Sequence, residues 1–442
     1  MKKIAVIIFP GSNCEIEAVR ACFRSNMHAE IFRWNDDYSK LKNFDAYIIP
    51  GGFSYEDRGR SGIIASLDPI VEVVKEQALD GKPLLGICNG AQILVETGLI
   101  PGLNFEKPEM ALAANERIQK GKIMGIGYYN DWIYIRSEMP KSSSVFNRFS
   151  KKIIMRVPIA HGEGRFETRS QDLLHKLITN KQTLFRYCDA QGRFIKDFPI
   201  NPNGAIHNLA GVCNKEGNIL ALMPHPERTL NGQPIFDSLA DHLEHGKKIP
   251  VSKTQKPPVS PMREKTTEIA LKKQEKKPDI TILIKLIITD NEEKTLEQTL
   301  QRIGYPDTTL ERQILLGFYV KKKTDLKKTA QKLIESGEVL NLNKEIPTIF
   351  IGKKTYQFNQ EKGLTESKNP LSNTFNFFVT EYNNYSGKTL QVNLKNHLPK
   401  NHLEKVERGI FWTLRTKSPE EIPHILKTHL FSNPHSMKIT QY

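Results

Sequence analysis

The sequence predicts an α/β domain with an open, mostly parallel sheet, followed by two smaller α+β repeats. Residues 1–245 alternate short apolar runs with longer amphipathic segments, which is the pattern of βαβ units. Residues 246–278 are rich in Lys and Pro and are typical of a linker. Residues 279–442 contain a repeat with a spacing of about 96 positions, which indicates two copies of one small fold.

The elements of the first domain follow from its apolar runs and turns. In chain order we expect a strand over 3–8, a helix over 15–24, a strand over 46–49, a strand over 83–87 and a helix over 91–96. The second of these strands ends at the turn Pro50-Gly51-Gly52, and the third runs without a spacer into Cys88. Because ligands of such sheets bind beyond the carboxyl ends of the strands, these two places mark the expected site.

The segment 246–278 holds much of the positive charge of the chain. It contains ten Lys or Arg, three Asp or Glu, five Pro and no aromatic residue, within a protein whose net charge is +15. This composition favours a solvated, self-repelling tether. A functional polybasic arm is the alternative.

The region after the linker divides into a first repeat at 279–351, a polar spacer at 352–373 and a second repeat at 374–442. The motif Glu-Arg-Gln-Ile at 311–314 recurs as Glu-Arg-Gly-Ile at 407–410. Each copy is predicted to contain, in order, a strand, a helix, a strand and a helix. The two strands and the last helix are expected at 280–288, 314–320 and 326–335 in the first copy, and at 375–380, 410–414 and 420–428 in the second, with the first helix between the two strands.

Length and composition exclude several classes of protein. At roughly 150 residues per domain, 442 residues suggest about three domains. The apolar run at 4–9 stops at Pro10-Gly11, so we expect neither a signal peptide nor a membrane span but a soluble cytoplasmic protein. The five cysteines lack CxxC or metal-ligand spacing, so neither a disulfide framework nor a metal site is expected, and Cys14 is assigned a structural role.

The strongest local motif is Gly-Ile-Cys-Asn-Gly-Ala-Gln at residues 86–92. It places Cys88 between a strand and a helix, with a glycine two residues away on each side. Such an elbow exposes a nucleophile, and the N-terminus of the helix favours its thiolate. A buried cysteine that acts as a small hydrophobe is the alternative, but the glycine bracket favours a nucleophile.

The candidate base is His225, in the motif Leu-Met-Pro-His-Pro-Glu-Arg at 222–228. If residues 224–227 are extended, as the flanking prolines favour, His225 and Glu227 project to the same side. Glu227 can then orient the imidazole, as the third member of a triad does. Alone, the motif would equally suit an exposed turn, but together with Cys88 it predicts a catalytic triad.

Six motifs of the first domain together resemble a known family. They are Phe-Pro-Gly-Ser-Asn-Cys (9–14), Pro-Gly-Gly-Phe-Ser-Tyr (50–55), the cysteine motif (86–92), Ala-His-Gly-Glu-Gly (160–164), Asn-Pro-Asn-Gly (201–204) and Met-Pro-His-Pro-Glu-Arg (223–228). Residues 1–245 resemble class I (triad) glutamine amidotransferases, and among them the PurQ-type glutaminase subunit of phosphoribosylformylglycinamidine synthase in purine biosynthesis. The sequence departs from many relatives at 56–58, where they carry a glycine after the tyrosine.

The resemblance implies a flavodoxin-like sheet with helices on both faces, and a role for each matching residue. Cys88 would attack the side-chain amide of L-glutamine, His225 would transfer protons and Glu227 would orient His225. Glutamate would then leave after hydrolysis of a thioester. The remaining positions implied for the oxyanion hole or for substrate binding are Gly52, Phe53, Asn89, Gln92, His161 and Glu163.

The resemblance also implies a partner. No phosphate-binding loop of the type G-x-x-x-x-G-K-[ST] occurs in the sequence, so ATP and Mg are expected on a separate PurL-type synthetase that receives the ammonia, with no cofactor in this chain. The C-terminal repeats resemble the small PurS-type subunit that bridges glutaminase and synthetase, although they lack its Asp-Pro-x-Gly turn. Fusion would raise the effective concentration of bridge and glutaminase.

Other functions stay open at this point. The segments 317–320 and 408–411 distantly resemble the aromatic RNA-stacking strand of RRM domains, which would make the tail an RNA-binding module. The first domain could also be a triad glutaminase that serves another synthetase, such as those for GMP or carbamoyl phosphate. A non-catalytic relative would lack the His-Pro-Glu motif that is present here. We expect neither nucleic acid nor a membrane as a partner.

Overall fold

The computed structural model describes residues 1–104, 108–246, 271–273, 276–321, 325–371, 374–399 and 402–442. The chain forms two compact units, Met1–Thr267 with Asn433–Ser436, and Glu268–Ser432 with Met437–Tyr442. Most of the predicted linker at 246–278 lies outside the described residues, as does the end of the spacer at 372–373. Within the described ranges, no helix combines the length and the apolar character needed to cross a bilayer.

The first unit contains a large mixed sheet with the strand order β2-β1-β3-β4-β13-β12-β11-β8-β9 and two small sheets, β10-β5 and β6-β7. Its strands are β1 (Lys3–Ile8), β2 (His28–Arg33), β3 (Ala46–Ile49), β4 (Leu84–Ile87), β5 (Ala111–Ala114), β6 (Glu116–Gln119), β7 (Lys122–Ile126), β8 (Tyr129–Arg136), β9 (Ile154–His161), β10 (Glu163–Glu167), β11 (Phe185–Cys188), β12 (Leu209–Cys213) and β13 (Ile219–Leu222). Its helices are α1 (Glu15–Arg24), α2 (Ile63–Ser66), α3 (Pro69–Leu79), α4 (Asn89–Glu96), α5 (Gln171–Thr179) and α6 (Gln233–His245).

The predicted mostly parallel sheet is corrected by this topology. Pairing is parallel from β2 to β13 and antiparallel from β13 through β12, β11 and β8 to β9. The link between β12 and β13 spans only residues 214–218, too short for the crossover of a dozen or more residues that parallel strands need. This short connection therefore requires β12 and β13 to be antiparallel.

The parallel half of the sheet forms the centre of the first unit. All residues of β3, β4 and β13 are buried, as are the four central residues of β1. Continuous apolar strands of this kind are covered on both faces, unlike strands in which buried and solvent-exposed side chains alternate. Their carboxyl ends are therefore held rigidly, and both the 50–52 turn and Cys88 lie there.

The second unit is built around one sheet with the order β14-β22-β20-β21-β16-β15-β17-β18-β19. Its strands are β14 (Lys272–Lys273), β15 (Ile280–Leu286), β16 (Thr309–Val320), β17 (Glu345–Ile351), β18 (Lys354–Asn359), β19 (Gly363–Ser367), β20 (Phe375–Glu381), β21 (Leu403–Arg415) and β22 (Met437–Gln441). Its helices are α7 (Asn291–Arg302), α8 (Leu326–Glu335), α9 (Tyr385–Asn393) and α10 (Glu421–Lys427).

The two copies occupy equivalent halves of this sheet. The first copy runs β15-α7-β16-α8-β17 and the second runs β20-α9-β21-α10-β22. They meet where β16 pairs antiparallel with β21, and there Ile314 lies opposite Ile410, its equivalent in the repeat. On either side of this pair, Glu311 faces Thr413 and Gly317 faces Glu407, so the register is symmetric about the central pair. The copies thus associate like the two subunits of a C2 dimer.

The segment predicted as a spacer at 352–373 contains secondary structure. The strands β18 and β19 extend the sheet outward from β17. Their sequence is polar because only one position in each of them is strongly apolar and buried, Tyr356 and Leu364 respectively. An edge hairpin needs few core residues, which explains why composition suggested a spacer instead.

The symmetric register predicts the behaviour of one copy alone. A fragment of residues 276–371 exposes the whole of β16, an edge whose partner in the intact chain is its own repeat equivalent. We expect it to form a homodimer in sedimentation experiments, whereas a two-copy fragment of residues 276–442 should be a monomer. A well-behaved monomeric single copy would contradict the proposed self-complementarity of β16.

Candidate active site

Cys88 lies on a strained elbow between β4 and α4. Its backbone has φ 51° and ψ −105°, a conformation that non-glycine residues seldom adopt. The bracketing glycines are sterically required, because a Cβ on Gly90 would lie 2.0 Å from the carbonyl oxygen of Ile49 and a Cβ on Gly86 would lie 2.6 Å from that of Gly90. The sulfur thus occupies the predicted place at the carboxyl end of the central strands.

His225 and Glu227 form a buried pair. His225 Nδ1 lies 2.6 Å from Glu227 Oε1, and both residues are 2% exposed. The stretch is not extended as predicted, since Pro226–Arg228 forms a 3-10 turn, but the carboxylate still reaches the imidazole. Burial lowers the pKa of His225, but the charges of Glu227 and Cys88 outweigh it and raise this pKa well above its usual value.

Gly51 lies where the candidate nucleophile Cys88 and the candidate base His225 approach each other. A Cβ at this position would lie 2.7 Å from His225 Cε1, 3.1 Å from Cys14 Sγ and 3.4 Å from Cys88 Cβ. Cys88 and His225 therefore border the same small volume, and no side chain can separate them. With Nδ1 bonded to Glu227, Nε2 of His225 is the nitrogen left for exchange of a proton with sulfur.

In the turn after β3, the backbone N–H of Phe53, which was expected to stabilise the oxyanion, donates a hydrogen bond within the protein instead. The Phe53 N–H donates to the carbonyl of Gly11 at 2.9 Å, and the Phe53 side chain is 46% exposed. Gly52 has φ 145°, and a Cβ there would lie 2.7 Å from Ser12 Cα, so only glycine fits. The Phe53 N–H is therefore engaged in this structure, which makes Gly52 the candidate donor of this turn.

Asn89, Gln92 and Glu163 form a network beside the nucleophile. Asn89 Nδ2 donates to Gln92 Oε1 at 2.9 Å, and Gln92 Nε2 donates to the carbonyl of Glu163 at 2.6 Å. Asn89 Oδ1 accepts the N–H of Ser54 at 3.1 Å. Asn89 is also the first residue of α4, where backbone N–H groups lack partners within the helix.

His161 is a neutral imidazole within the same region. Burial and the charge of His225 lower its pKa to about 3. Its Nδ1 lies 3.2 Å from Asn115 Nδ2, whereas its Nε2 is buried and makes no hydrogen bond to any described residue. A Cβ on Gly164 would lie 2.2 Å from the His161 ring, which explains the glycine that follows Glu163 in the motif.

Cys14 and Arg228 belong to the same cluster, which the sequence did not indicate. Arg228 Nη2 lies 2.9 Å from Cys14 Sγ, and Cys14, expected to be structural, is completely buried beside His225. The two residues are far apart in sequence, so no local motif joins them. The sequence offered only two hints of this contact: Cys14 ends one of the family motifs, and Arg228 directly follows His-Pro-Glu.

Cys14, His225 and Glu227 place their sulfur, nitrogen and oxygen atoms within 4.8 Å of one another, close enough to bind a metal ion. Their contacts favour a different use. His225 and Glu227 already bond to each other, and the Arg228 guanidinium brings a positive charge to Cys14. These three side chains therefore fit a hydrogen-bonded, proton-carrying cluster better than they fit a metal centre.

The loop at 53–61 contains a strained stretch of backbone. Tyr55, Glu56 and Asp57 have φ values of 53°, 58° and 50°, three successive non-glycine residues in the left-handed region. Each costs roughly 1–2 kcal/mol relative to glycine. Asp57 Oδ1 accepts from Asn89 Nδ2 at 3.3 Å, so the strained stretch contacts the residue that follows the nucleophile.

Asp57 should make stability depend on pH. Burial raises the pKa of Asp57 to about 6, opposed by a hydrogen bond from Ser61, whereas a free aspartate titrates near about 4. The folded protein thus binds more protons between these values and loses stability as the pH rises through them. We expect Asp57→Asn to unfold at a higher temperature than the wild type by a margin that grows from pH 4.5 to 7. The exposed Asp172→Asn is the control, and its difference in unfolding temperature from the wild type should not change with pH. A constant difference for Asp57→Asn as well would show that the pKa of Asp57 is not raised.

Residues 1–247 match the family model for CobB/CobQ-like glutamine amidotransferase domains. The phosphoribosylformylglycinamidine synthase subunit PurQ of Methanothrix thermoacetophila is 43% identical over 261 residues, covering 55% of this chain and 98% of that protein. PurQ of Thermomicrobium roseum is 41% identical over 226 residues, covering 51% and 87%. A chain from the structure of PurLQS from Thermotoga maritima is 30% identical, covering 55% and 99%, with a TM-score of 0.43.

The family model spans more than half of the chain, and the two PurQ proteins are matched over most of their length. Cys88, His225 and Glu227 lie inside the matched region. The enzyme therefore belongs to the glutamine amidotransferase family and carries a PurQ-type domain over residues 1–247.

Proposed function

We propose that this protein is the glutaminase component of phosphoribosylformylglycinamidine synthase, acting in the cytoplasm. The observation that carries the proposal is the buried His225–Glu227 pair beside the Cys88 elbow, within a domain 43% identical to a PurQ subunit. The substrate is L-glutamine, and the products are glutamate and ammonia.

Cys88 is the nucleophile of the proposed reaction. The Cys88 thiol gives its proton to Nε2 of His225, and the thiolate attacks the side-chain carbonyl carbon of glutamine as an electron pair moves onto the carbonyl oxygen. His225, whose pKa is raised, gives its Nε2 proton to the amide nitrogen as the C–N bond breaks and ammonia leaves. His225 then takes a proton from water, which attacks the thioester, and glutamate departs from the sulfur.

The oxyanion is stabilised by backbone donors. We assign this role to the N–H of Gly52 and the N–H of Asn89, which lie at the ends of β3 and β4. Gln92, His161 and Glu163 line the substrate side of the nucleophile in this proposal. His161, neutral because its pKa is low, can donate or accept one hydrogen bond without adding a charge.

The ammonia passes to a separate PurL-type synthetase, which supplies ATP and Mg. The two C-terminal copies act as the bridge to it, in the manner of a PurS dimer within one chain. Their symmetric pairing through β16 and β21 supports this proposal, since a dimeric bridge needs two equivalent halves.

The competing RNA-binding role of the tail loses its basis. Stacking of bases needs exposed aromatic faces, but Phe318 and Phe411 are completely buried and Tyr319 is 6% exposed. Phe318 and Phe411 belong to the hydrophobic core of the second unit instead, and the Tyr319 hydroxyl donates to Glu407 at 3.0 Å.

Cys88→Ala should separate the two activities of the assembled synthase. Glutamine-dependent synthesis should disappear, while synthesis with added ammonium chloride should continue, because only the release of ammonia needs the thiol. His225→Ala should behave similarly, and Glu227→Gln should be less severe, since an orienting group is replaceable in part. Both activities are measured with the PurL-type synthetase present; equal loss of both would disprove the assigned roles.

The bridging role predicts a difference in binding. The intact chain should co-elute with the synthetase in size-exclusion chromatography with ATP and Mg, and Cys88→Ala should co-elute equally. A chain of residues 1–246 should elute alone. Co-elution of this shortened chain would show that the C-terminal copies are not the bridge.

A further inference from the structure

The segment Asn433–Ser436 belongs to the first unit, although it lies near the end of the chain. Asn433 is completely buried there. Its Nδ2 donates to Glu96 Oε1 at 3.0 Å and to the carbonyl of Met110 at 3.2 Å. Its Oδ1 accepts the N–H of His435 at 3.0 Å, so both polar atoms of the amide are in use.

His435 fixes the position of this segment. Its Nδ1 accepts the N–H of Arg169 at 3.2 Å, and its Nε2 lies 3.0 Å from the carbonyl of Pro108, to which it donates. One tautomer satisfies both bonds. The segment is therefore held by its own polar contacts, and Asn433 is presented to Glu96 in a defined orientation.

Glu96 connects Asn433 to the active-site loop. It is the last residue of α4, and its carboxylate accepts both terminal nitrogens of Arg60, with Nη2 to Oε2 at 2.9 Å. The side chains of Arg60 and Glu96 are 9% and 5% exposed. A bidentate, desolvated pair of this kind depends on its geometry, so a shift of Glu96 moves Arg60.

The two ends of α4 hold the two ends of one loop. At the start of the helix, Asn89 accepts the N–H of Ser54 and donates to Asp57; at its end, Glu96 holds Arg60. Between these anchors the loop contains the left-handed stretch 55–57. If one anchor is released, the strained backbone of 55–57 can change its conformation. The turn that carries Gly52 directly precedes this loop and would move with it.

We infer that Asn433 is a positioning residue for the glutaminase reaction, acting on the 53–61 loop through Glu96 and Arg60. This inference rests on the proposed function and adds a residue outside the matched amidotransferase region. Loss of the amide donor displaces the loop and, through it, the adjoining turn that carries the Gly52 N–H, while the sulfur of Cys88 stays in place. Misplacement by about 1 Å can cost about 100-fold in rate.

The chain offers a matched control in the other repeat. Asn341 lies four residues before β17, as Asn433 lies four residues before β22, and it makes the same turn, with its Oδ1 accepting the N–H of Asn343 at 3.0 Å. Asn341 is exposed. Asn341→Asp therefore tests the change from amide to carboxylate in this turn without the contact to Glu96.

The experiment compares Asn433→Asp with Asn341→Asp in the intact chain with the synthetase present. Asn433→Asp keeps the shape of the side chain but replaces the donor to Glu96 by a like charge. We expect kcat for glutamine hydrolysis to fall about tenfold or more with little change in KM, and no change for Asn341→Asp. Synthesis from added ammonium chloride and alkylation of Cys88 by iodoacetamide should keep their wild-type rates.

A second variant tests whether Asn433 acts through Glu96. Adding Glu96→Gln to Asn433→Asp moves the carboxylate from one residue to the other and removes the repulsion, so part of the lost kcat should return. If Asn433→Asp does not fold, Asn433→Ser removes the donor without adding charge and should lower kcat in the same way.

Equal kcat in Asn433→Asp and Asn341→Asp would overturn the inference, as would a parallel loss of Cys88 alkylation. Failure of the proposed function has a different signature. In that case the wild-type chain with the synthetase releases no glutamate and supports no glutamine-dependent synthesis.

Discussion

The active site depends on the close approach of two turns at the carboxyl ends of β3 and β4. Gly90 packs on the backbone of Ile49, and Gly51 leaves just enough room for His225 and Cys88. A methyl group at Gly90 would overlap the carbonyl of Ile49, and one at Gly51 would overlap the His225 ring. The approach of Cys88 and His225 is therefore set by backbone packing within a buried part of the sheet.

Two histidines in one buried region are held in opposite protonation states. Glu227 keeps a proton on His225 in spite of its burial. His161 has no carboxylate partner among the described residues, and the charge of His225 lowers its pKa further. Both imidazoles are desolvated, but the pKa of His225 is raised and that of His161 is lowered, because only His225 has a carboxylate beside it. In the proposed reaction, this separation lets His225 transfer protons while His161 serves as a neutral hydrogen-bonding group.

Local motifs predicted the parts of the site that are contiguous in sequence. Cys88 and the His225–Glu227 pair were found because elbow and His-Pro-Glu patterns are short, and the repeat was found because its copies are similar. The contact between Cys14 and Arg228 was missed because it joins distant segments, and the use of the Phe53 amide was missed because backbone bonds leave no trace in residue identity. The mixed sheet was missed because strand direction depends on connection lengths and on pairing between distant strands.

Duplication within one chain removes a constraint that a symmetric dimer obeys. In a homodimer one gene encodes both halves, so every substitution at the axis appears twice. Here β16 and β21 are encoded separately, and they already differ, with Gln313 where its equivalent is Gly409. The turns before the third strands have diverged further, with Asn341 in solvent and Asn433 buried. Such a pair can acquire a new contact in one half while the other half preserves the shared sheet, an evolutionary freedom that two identical subunits do not have.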